Sequence, residues 1–353
     1  MVRRRRRAHA ADGRIGRNHI GRAADDIDGN LGMRKDTTIT TTNKRPRART
    51  KPGAEPRVAA AAEGPDERLG AHVSTQGGVE RALGRGLEIG ATAIQLFTKT
   101  PNQWREPAVA PEAAESFRAA HARSGMRALV SHDSYLINLA SPDEALYLRS
   151  LASFTCELER CEALGIDYVV SHPGNYIDDR EAGLARNIAG LTAALERVPG
   201  RVMVLMESTA GSGTAIGSRF DELARLRAGV PEGLRHRVGF CADTCHLYSA
   251  GYDLVGDFDG VWDAWEREIG LEHLRVLHLN DSKTPFASRR DRHELIGEGS
   301  LGEAPFRRLM ADPRFAHVVK IIETPKGDDA ATTDRRMLAL LRAYAAGDAT
   351  PLR

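Results

Sequence analysis

Asp291 and His293 stand two apart in SRRDRHELIGEGSLG, residues 288–302, a spacing that suits a pair of metal ligands. The interleaved Arg289, Arg290 and Arg292 suit a phosphate contact instead, so the stretch alone admits both readings. Elsewhere six apolar runs each end in a residue of ligand type: RALVSH in His132, YVVSH in His172, VMVLME in Glu207, VGFCAD in Asp243, RVLH in His278 and KIIE in Glu323. His246 follows Asp243 by three in DTCH, which brings the set to nine residues, five histidines and four acids. Buried carboxylates and imidazoles at this density repel or stay unsatisfied unless cations compensate them. A mixed set suits Zn2+ better than Mg2+ or Ca2+, which prefer oxygen shells, and leaves Mn2+ or Fe2+ as further candidates. At three to four ligands per ion with one shared carboxylate, the set corresponds to about three metals.

For these residues to meet, the runs that carry them must be neighbouring strands ending on one rim. From Leu69 onward the chain alternates short apolar runs (LGAHVS, ATAIQLFT, RALVSH, YVVSHPG, VMVLMEST, VGFCADTCH, RVLHLND, VVKIIETP) with amphipathic segments. The helical patterns cover 79–89, 111–124, 144–164, 182–197, 219–228, 260–269, 304–311 and 333–345. Strict alternation implies a parallel sheet with right-handed crossovers. Eight strands rich in Val, Ile and Leu favour a closed (β/α)8 TIM barrel over a doubly wound open sheet. In such a barrel the rim where strands end is the active-site face, and the six ligand-type residues close its third to eighth strands.

Other motifs compete less well. Cys241 shares the side of its strand with Asp243 but lies one layer deeper, and Cys241 and Cys245 read as packing residues. ESTAGSGTAIG carries Gly211, Gly213 and Gly217, but the spacing fits no phosphate loop and no Lys-Ser/Thr follows, so a flexible βα loop without nucleotide cofactor is expected. There is no G-x-S-x-G nucleophile elbow. His72, ending the first run, faces the pocket either as a packing group beside the ligands or as a phosphate contact.

The chain has 353 residues, 41% hydrophobic, with a net charge of +2, enough for a sizeable core. Residues 1–67 hold 16 Lys/Arg against 9 Asp/Glu, an excess of +7 that leaves −5 for the rest. Rich in Arg, Thr, Pro and Ala and without sustained period, they are expected to be a disordered basic tail, solvating or weakly tethering to nucleic acid, with residues 68–353 forming the catalytic barrel. Four cysteines at C-x4-C and C-x3-C match neither a zinc ribbon nor a disulfide framework, which favours a reduced, cytoplasmic setting. No apolar run approaches the roughly 20 residues of a membrane span, and the arginines of MVRRRRRAHAADG precede no apolar core, so neither membrane attachment nor export is expected.

The strings GAHVS, LFTK…QW, HDSYLINLA, CEALGI…HPG, CADTCHLYSAGYDL, HLNDSK, RDRHELIGEG and IIETP, in unbroken order from about Gly70 to Pro325, resemble the endonuclease IV family of apurinic/apyrimidinic (AP) endonucleases. The resemblance implies a (β/α)8 barrel with three zinc ions that cleaves double-stranded DNA on the 5′ side of an abasic site. Carried over by position, one zinc takes His132, His172 and Glu207, the last bridging to a second that takes Asp243, His278 and Glu323, and a third takes His246, Asp291 and His293. Metal-activated water then attacks phosphorus with no side-chain nucleophile, Glu207 orienting it, and leaves a 3′-OH and a 5′-deoxyribose phosphate. The family also implies trimming of blocked 3′ ends. Loops bearing Asn102 and Gln103, and Tyr135 and Leu136, would enter the duplex, while Arg290 and Arg292 either touch the DNA backbone or form a solvated charge run. The sequence departs from the pattern near Asn102, where an arginine is expected, and at Asn175, where serine is commoner. A single-chain enzyme is expected. The rival readings are a sugar isomerase or epimerase, which needs only one or two metals, and a non-catalytic DNA-binding protein using the basic tail.

Overall fold

The computed structural model describes residues 67–348, so the expectation of a disordered tail falls, apart from Glu67, outside the described residues. Eight strands close a parallel barrel: β1 (Leu69–His72), β2 (Ala93–Leu96), β3 (Ala128–His132), β4 (Tyr168–Ser171), β5 (Met203–Glu207), β6 (Val238–Asp243), β7 (Leu274–His278) and, after a small hairpin of β8 (Asp281–Ser282) with β9 (His293–Glu294), β10 (Val319–Ile322). Closure comes from β1, which pairs in parallel with β10 through Ala71 and Ile322 and with β2 through Ala71 and Ile94. Gly70 permits the β1–β2 approach, because a Cβ there would sit 1.6 Å from Ala93 O.

Around this barrel lie α1 (Glu80–Glu88), α2 (Pro111–Ser124), α3 (Glu144–Leu164), α4 (Arg180–Arg197), α5 (Phe220–Gly229), α6 (Glu232–Arg235), α7 (Thr244–Ala250), α8 (Phe258–Glu268), α9 (Ala304–Ala311) and α10 (Ala330–Ala345). Three of them begin earlier than their apolar periodicity predicts, because an aspartate caps each. Asp179 accepts from Ala182 N, Asp257 from Gly260 N, and Asp329 from Ala331 N and Thr332 N. Each such cap is worth about 1 kcal/mol and fixes the first turn before the hydrophobic stripe starts. The hairpin and the short helices α6 and α7 are additions to the expected alternation, too brief to carry a detectable period.

Side-chain alternation divides the strands between two cores. Val130, Val170, Leu205, Cys241, Val276, Val319 and Ile321 point inward and fill the barrel, while residues such as Leu129, Met206 and Leu277 face the surrounding helices. Two positions beyond each inward hydrophobe in β3, β5, β6 and β7 stands the next inward residue: His132, Glu207, Asp243 or His278. Hence a dry apolar layer supports a polar layer at the strand ends, and a change of register where β6 meets β7 aligns Asp243 with His278. Among the described residues no helix is long and apolar enough to cross a membrane.

Candidate metal centre

The polar layer is more complete than the sequence reading made it. Besides the residues ending β3, β5, β6 and β7 and those just past β4 and β10, His72 closes β1 and Gln95 stands near the end of β2. Glu207, at the end of β5, is the hub. Its Oε2 lies 3.2 Å from His132 Nε2 and 3.0 Å from His172 Nε2, while its Oε1 lies 2.8 Å from His278 Nδ1 and 3.5 Å from His246 Nδ1. One fully buried carboxylate thus faces two sets of histidines with its two oxygens.

Three groups of donor atoms form around it, each with all members within 4.8 Å of one another: His132, His172 and Glu207; Glu207, Asp243, His278 and Glu323; and His246, Asp291 and His293. In the second, His278 Nδ1 is 3.2 Å from Glu323 Oε2 and 3.9 Å from Asp243 Oδ2. In the third, Asp291 presents one oxygen to His246 Nε2 and the other to His293 Nε2, each at 3.1 Å. Ligands about 2.0–2.1 Å from a tetrahedral ion lie roughly 3.3 Å apart, the range these separations occupy. His246 Nε2 and His293 Nε2 are buried without an aligned hydrogen bond and each lies 3.1 Å from Asp291, a lining that suits a cation. The donor set therefore fits zinc-type ions.

The far ring nitrogens explain why the near ones converge. His132 Nδ1 donates to Asp133 O at 3.0 Å, His246 Nδ1 to Ser208 O at 2.8 Å and His293 Nδ1 to Glu323 O at 3.3 Å. His278 is turned the other way and gives Nε2 to Gln95 Oε1 at 2.7 Å. The acids are held likewise: Asn280 Nδ2 donates to Asp243 Oδ2 at 2.6 Å, and Asp243 Oδ1 accepts from His246 N at 2.9 Å, capping α7. Asp-Thr-Cys-His thus makes Asp243 both a donor to the centre and the cap of the helix that carries His246.

Electrostatics agree with a site built for positive charge. Burial would raise the Glu207 carboxyl, yet His278, His172 and His132 hold it well below the usual carboxylate range. Burial opposes charge on His132 and His293, but Glu207 lifts the first to about 10, and Asp243 and Asp291 lift the second to about 9. A metal ion bound here would compensate the same carboxylates that now hold the imidazoles protonated.

Two further groups include thiols: Cys241 with Glu207 and His278, and Cys245 with Asp243 and His293. Cys241 sits in the apolar layer, as its spacing from Asp243 predicts, and burial pushes its thiol up to about 12 and that of Cys245 to about 11. Both stay neutral and pack.

On the open side, Asn102 and Gln103 are exposed in the β2–α2 loop and Tyr135 in the β3–α3 loop, with Leu136 half-buried. Ser134 Oγ donates to Pro101 O at 2.5 Å, so the two loops are joined, and the Tyr135 ring packs 5.3 Å from Phe97 and 5.9 Å from His132. Arg290 and Arg292 are exposed, while His293, between the same turns of chain, faces the centre. His72 is half-buried against Phe97 and Gln95. The 208–218 loop is tied down rather than loose: Thr209 Oγ1 donates to Ile216 O, and Asn175 bridges to Ala215. With His172, His246 and Asp291 it walls a cleft of about 190 Å³.

Sequence reasoning missed Gln95, Asn280 and Asp281. Gln95 signals itself only as a polar residue inside an apolar run; Asn280 and Asp281 follow His278 directly, in HLND.

Comparisons with known proteins agree with this geometry. Residues 84–344 match the family described as xylose isomerase-like TIM barrel. The probable endonuclease 4 of Chloroflexus aurantiacus is 46% identical over 285 residues, covering 79% of this chain and 99% of its own. That of Trichlorobacter lovleyi is 45% identical over 280 residues, covering 78% and 98%. The crystal structure of endonuclease IV from Thermus thermophilus superposes with a TM-score of 0.71 at 40% identity, covering 79% of this chain and 99% of that one. A D-psicose 3-epimerase superposes with a TM-score of 0.54 at 14% identity, a likeness of fold alone.

Proposed function

The chain belongs to the endonuclease IV family of hydrolytic nucleases, and from that premise we propose that it repairs DNA by cleaving the backbone 5′ to an abasic site. The products are a 3′-OH, ready for repair synthesis, and a 5′-deoxyribose phosphate; blocked 3′ ends are trimmed at the same centre. The reading rests above all on one observation: nine ligand-type side chains converge in three groups that share or adjoin Glu207.

His132, His172 and Glu207 would hold a first zinc ion, Glu207, Asp243, His278 and Glu323 a second, and His246, Asp291 and His293 a third, since each set of donor atoms converges. When bound, such ions supply Lewis acidity for the phosphoryl oxygens and a water-derived nucleophile near neutral pH. Glu207 orients the attack, because its fully buried carboxylate turns one oxygen to each of the first two groups.

The exposed loops do the recognising. Asn102, Gln103, Tyr135 and Leu136 enter the duplex and occupy the stack that the missing base has vacated, while His72, Arg290 and Arg292 contact phosphates. Extrusion costs little at an abasic nucleotide, which has already lost pairing and stacking, and selectivity follows from that difference. All three groups come from one chain, so a monomer suffices, and the four free cysteines accord with the cytoplasm as its setting.

The test is incubation of zinc-loaded protein with a plasmid carrying abasic sites, with and without a strong chelator. Chelator-sensitive nicking and three zinc ions per chain are expected. Absence of nicking overturns the reading, and two or fewer metals with ketose epimerisation would install a sugar epimerase in its place.

A further inference from the structure

Behind the β2–α2 loop lies a closed group of charges that the metal centre does not use. Lys99, at the start of the loop, and Glu106, near its end, meet through Lys99 Nζ and Glu106 Oε1 at 2.5 Å. Lys99 Nζ also donates to Gln103 O at 3.0 Å, inside the loop, and to Ser153 Oγ on α3 at 3.1 Å. Arg160, also on α3, gives Nη1 to Glu106 Oε2 at 2.7 Å and Nε to Thr98 Oγ1 at 2.8 Å. Its Nη2 meets Glu157 Oε2 at 2.5 Å. Glu157 in turn accepts from Thr98 Oγ1 at 2.7 Å and, through Oε1, from Ser131 Oγ at 2.6 Å.

Two cations and two carboxylates therefore pair completely, with Lys99, Glu157 and Arg160 all buried. Such a buried cluster is weak evidence for stability, since packed hydrophobes in its place often do as well. What it supplies is geometry. Thr98 and Glu106 are anchored to one helix, so the intervening residues have fixed ends, and Arg149 of the same helix stacks over Trp104 at 4.6 Å. Between these anchors the side chains of Asn102 and Gln103 are exposed at the tip while the Gln103 backbone is held by Lys99.

We infer that Glu106, gripped by Lys99 and Arg160, is a positioning residue that holds the Asn102–Gln103 tip at the height needed to enter damaged DNA. The inference rests on the proposed function for its substrate, but the clamp itself is open to a test that needs no DNA. Binding to the abasic site then uses a tip whose ordering cost is met in the folded protein before the encounter.

The test compares wild type with Glu106→Gln and Arg160→Lys, as the zinc-loaded full chain. For abasic duplex, both variants are expected to raise KM roughly tenfold, equivalent to about 1.4 kcal/mol, with kcat within about twofold. Hydrolysis of bis(p-nitrophenyl) phosphate, which needs the metals but no duplex, stays unchanged, as does zinc content. Independently, Trp104 becomes more open to acrylamide quenching, while Trp262 and Trp265 stay buried. Equal losses on both substrates, or unchanged KM and unchanged quenching, overturn the inference. If wild type nicks no abasic DNA, the proposed function fails while the Trp104 quenching still decides the clamp. Should Glu106→Gln not fold, Arg160→Lys keeps the charge but loses the forked contact and decides alone.

Discussion

Gln95 Oε1 lies 2.7 Å from His278 Nε2, and that contact decides which nitrogen of His278 faces Glu207. The other end of the same amide donates to Glu323 Oε1 at 2.6 Å, so the amide cannot rotate without losing both partners. Nδ1 is thereby left toward Glu207, Asp243 and Glu323. Replacing Gln95 with Leu keeps the volume close and removes the acceptor. Loss of such a partner behind a ligating histidine typically costs 10–100-fold in metal affinity or activity. The expected outcome is roughly a tenfold or greater fall in nicking rate, with one zinc released at lower chelator concentration, read by elemental analysis across a chelator series.

Asp281 holds the hairpin that presents Asp291 and His293. Its fully buried carboxylate accepts from the amides of Ser282 and Leu301 through Oδ1, and from those of Gly297 and Gly299 through Oδ2. Asp281→Ala strands four donors at once. With roughly 1–3 kcal/mol for each unsatisfied buried group, and some relaxation toward water, a loss of at least about 3 kcal/mol in urea unfolding is expected. A variant unfolding at the wild-type midpoint would refute this role.

Lys320 gives a pH prediction remote from the centre. Burial lowers its ammonium to about 8, and Nζ donates to Phe315 O and Val318 O. The folded state thus prefers the neutral amine. Between about 8 and the ordinary lysine value near 10.4, the unfolded chain binds more protons, so stability from this residue rises with pH across that window and is absent below it. The gain is on the order of 2–3 kcal/mol at the top of the window. Subtracting the urea stability of Lys320→Met from wild type, pH by pH, should recover that rise; a flat difference would exclude it.

The convergence of the strand-end side chains was legible because a strand's alternation sends every second residue inward, and a parallel barrel gathers the last of these on one rim. His132, Glu207, Asp243 and His278 needed only run boundaries to be found. Gln95, Asn280 and Asp281 were not legible, since amides and backbone-bound acids act by aiming other groups and carry no ligand signature of their own. Strands of two residues, like the pair at Ser282 and His293, fall below any periodic signal, so the hairpin that aims Asp291 emerged only in three dimensions. The Lys99–Glu106 contact depends on α3 passing behind the loop, which no local pattern encodes.

The Asp291–His293 pair separates a nuclease from an epimerase most directly, because with His246 it builds the third group. Asp291 reaches both His246 and His293 at 3.1 Å, and burial, which would raise its carboxyl, is outweighed by those two imidazoles, which hold it far below its usual range. Asp291→Asn keeps the shape and removes the charge, leaving His246 and His293 only the more distant Glu207 and Asp243, at 3.5 and 3.6 Å. Zinc content is expected to fall from three to two per chain. Nicking of abasic plasmid should drop roughly 100-fold or more, as for a loss of about 3 kcal/mol of transition-state stabilisation. His132, His172, Glu207, Asp243, His278 and Glu323 retain their contacts in that variant, so an epimerase built on those six would keep both its metals and its rate. Full activity with two metals would therefore remove the third group from the mechanism.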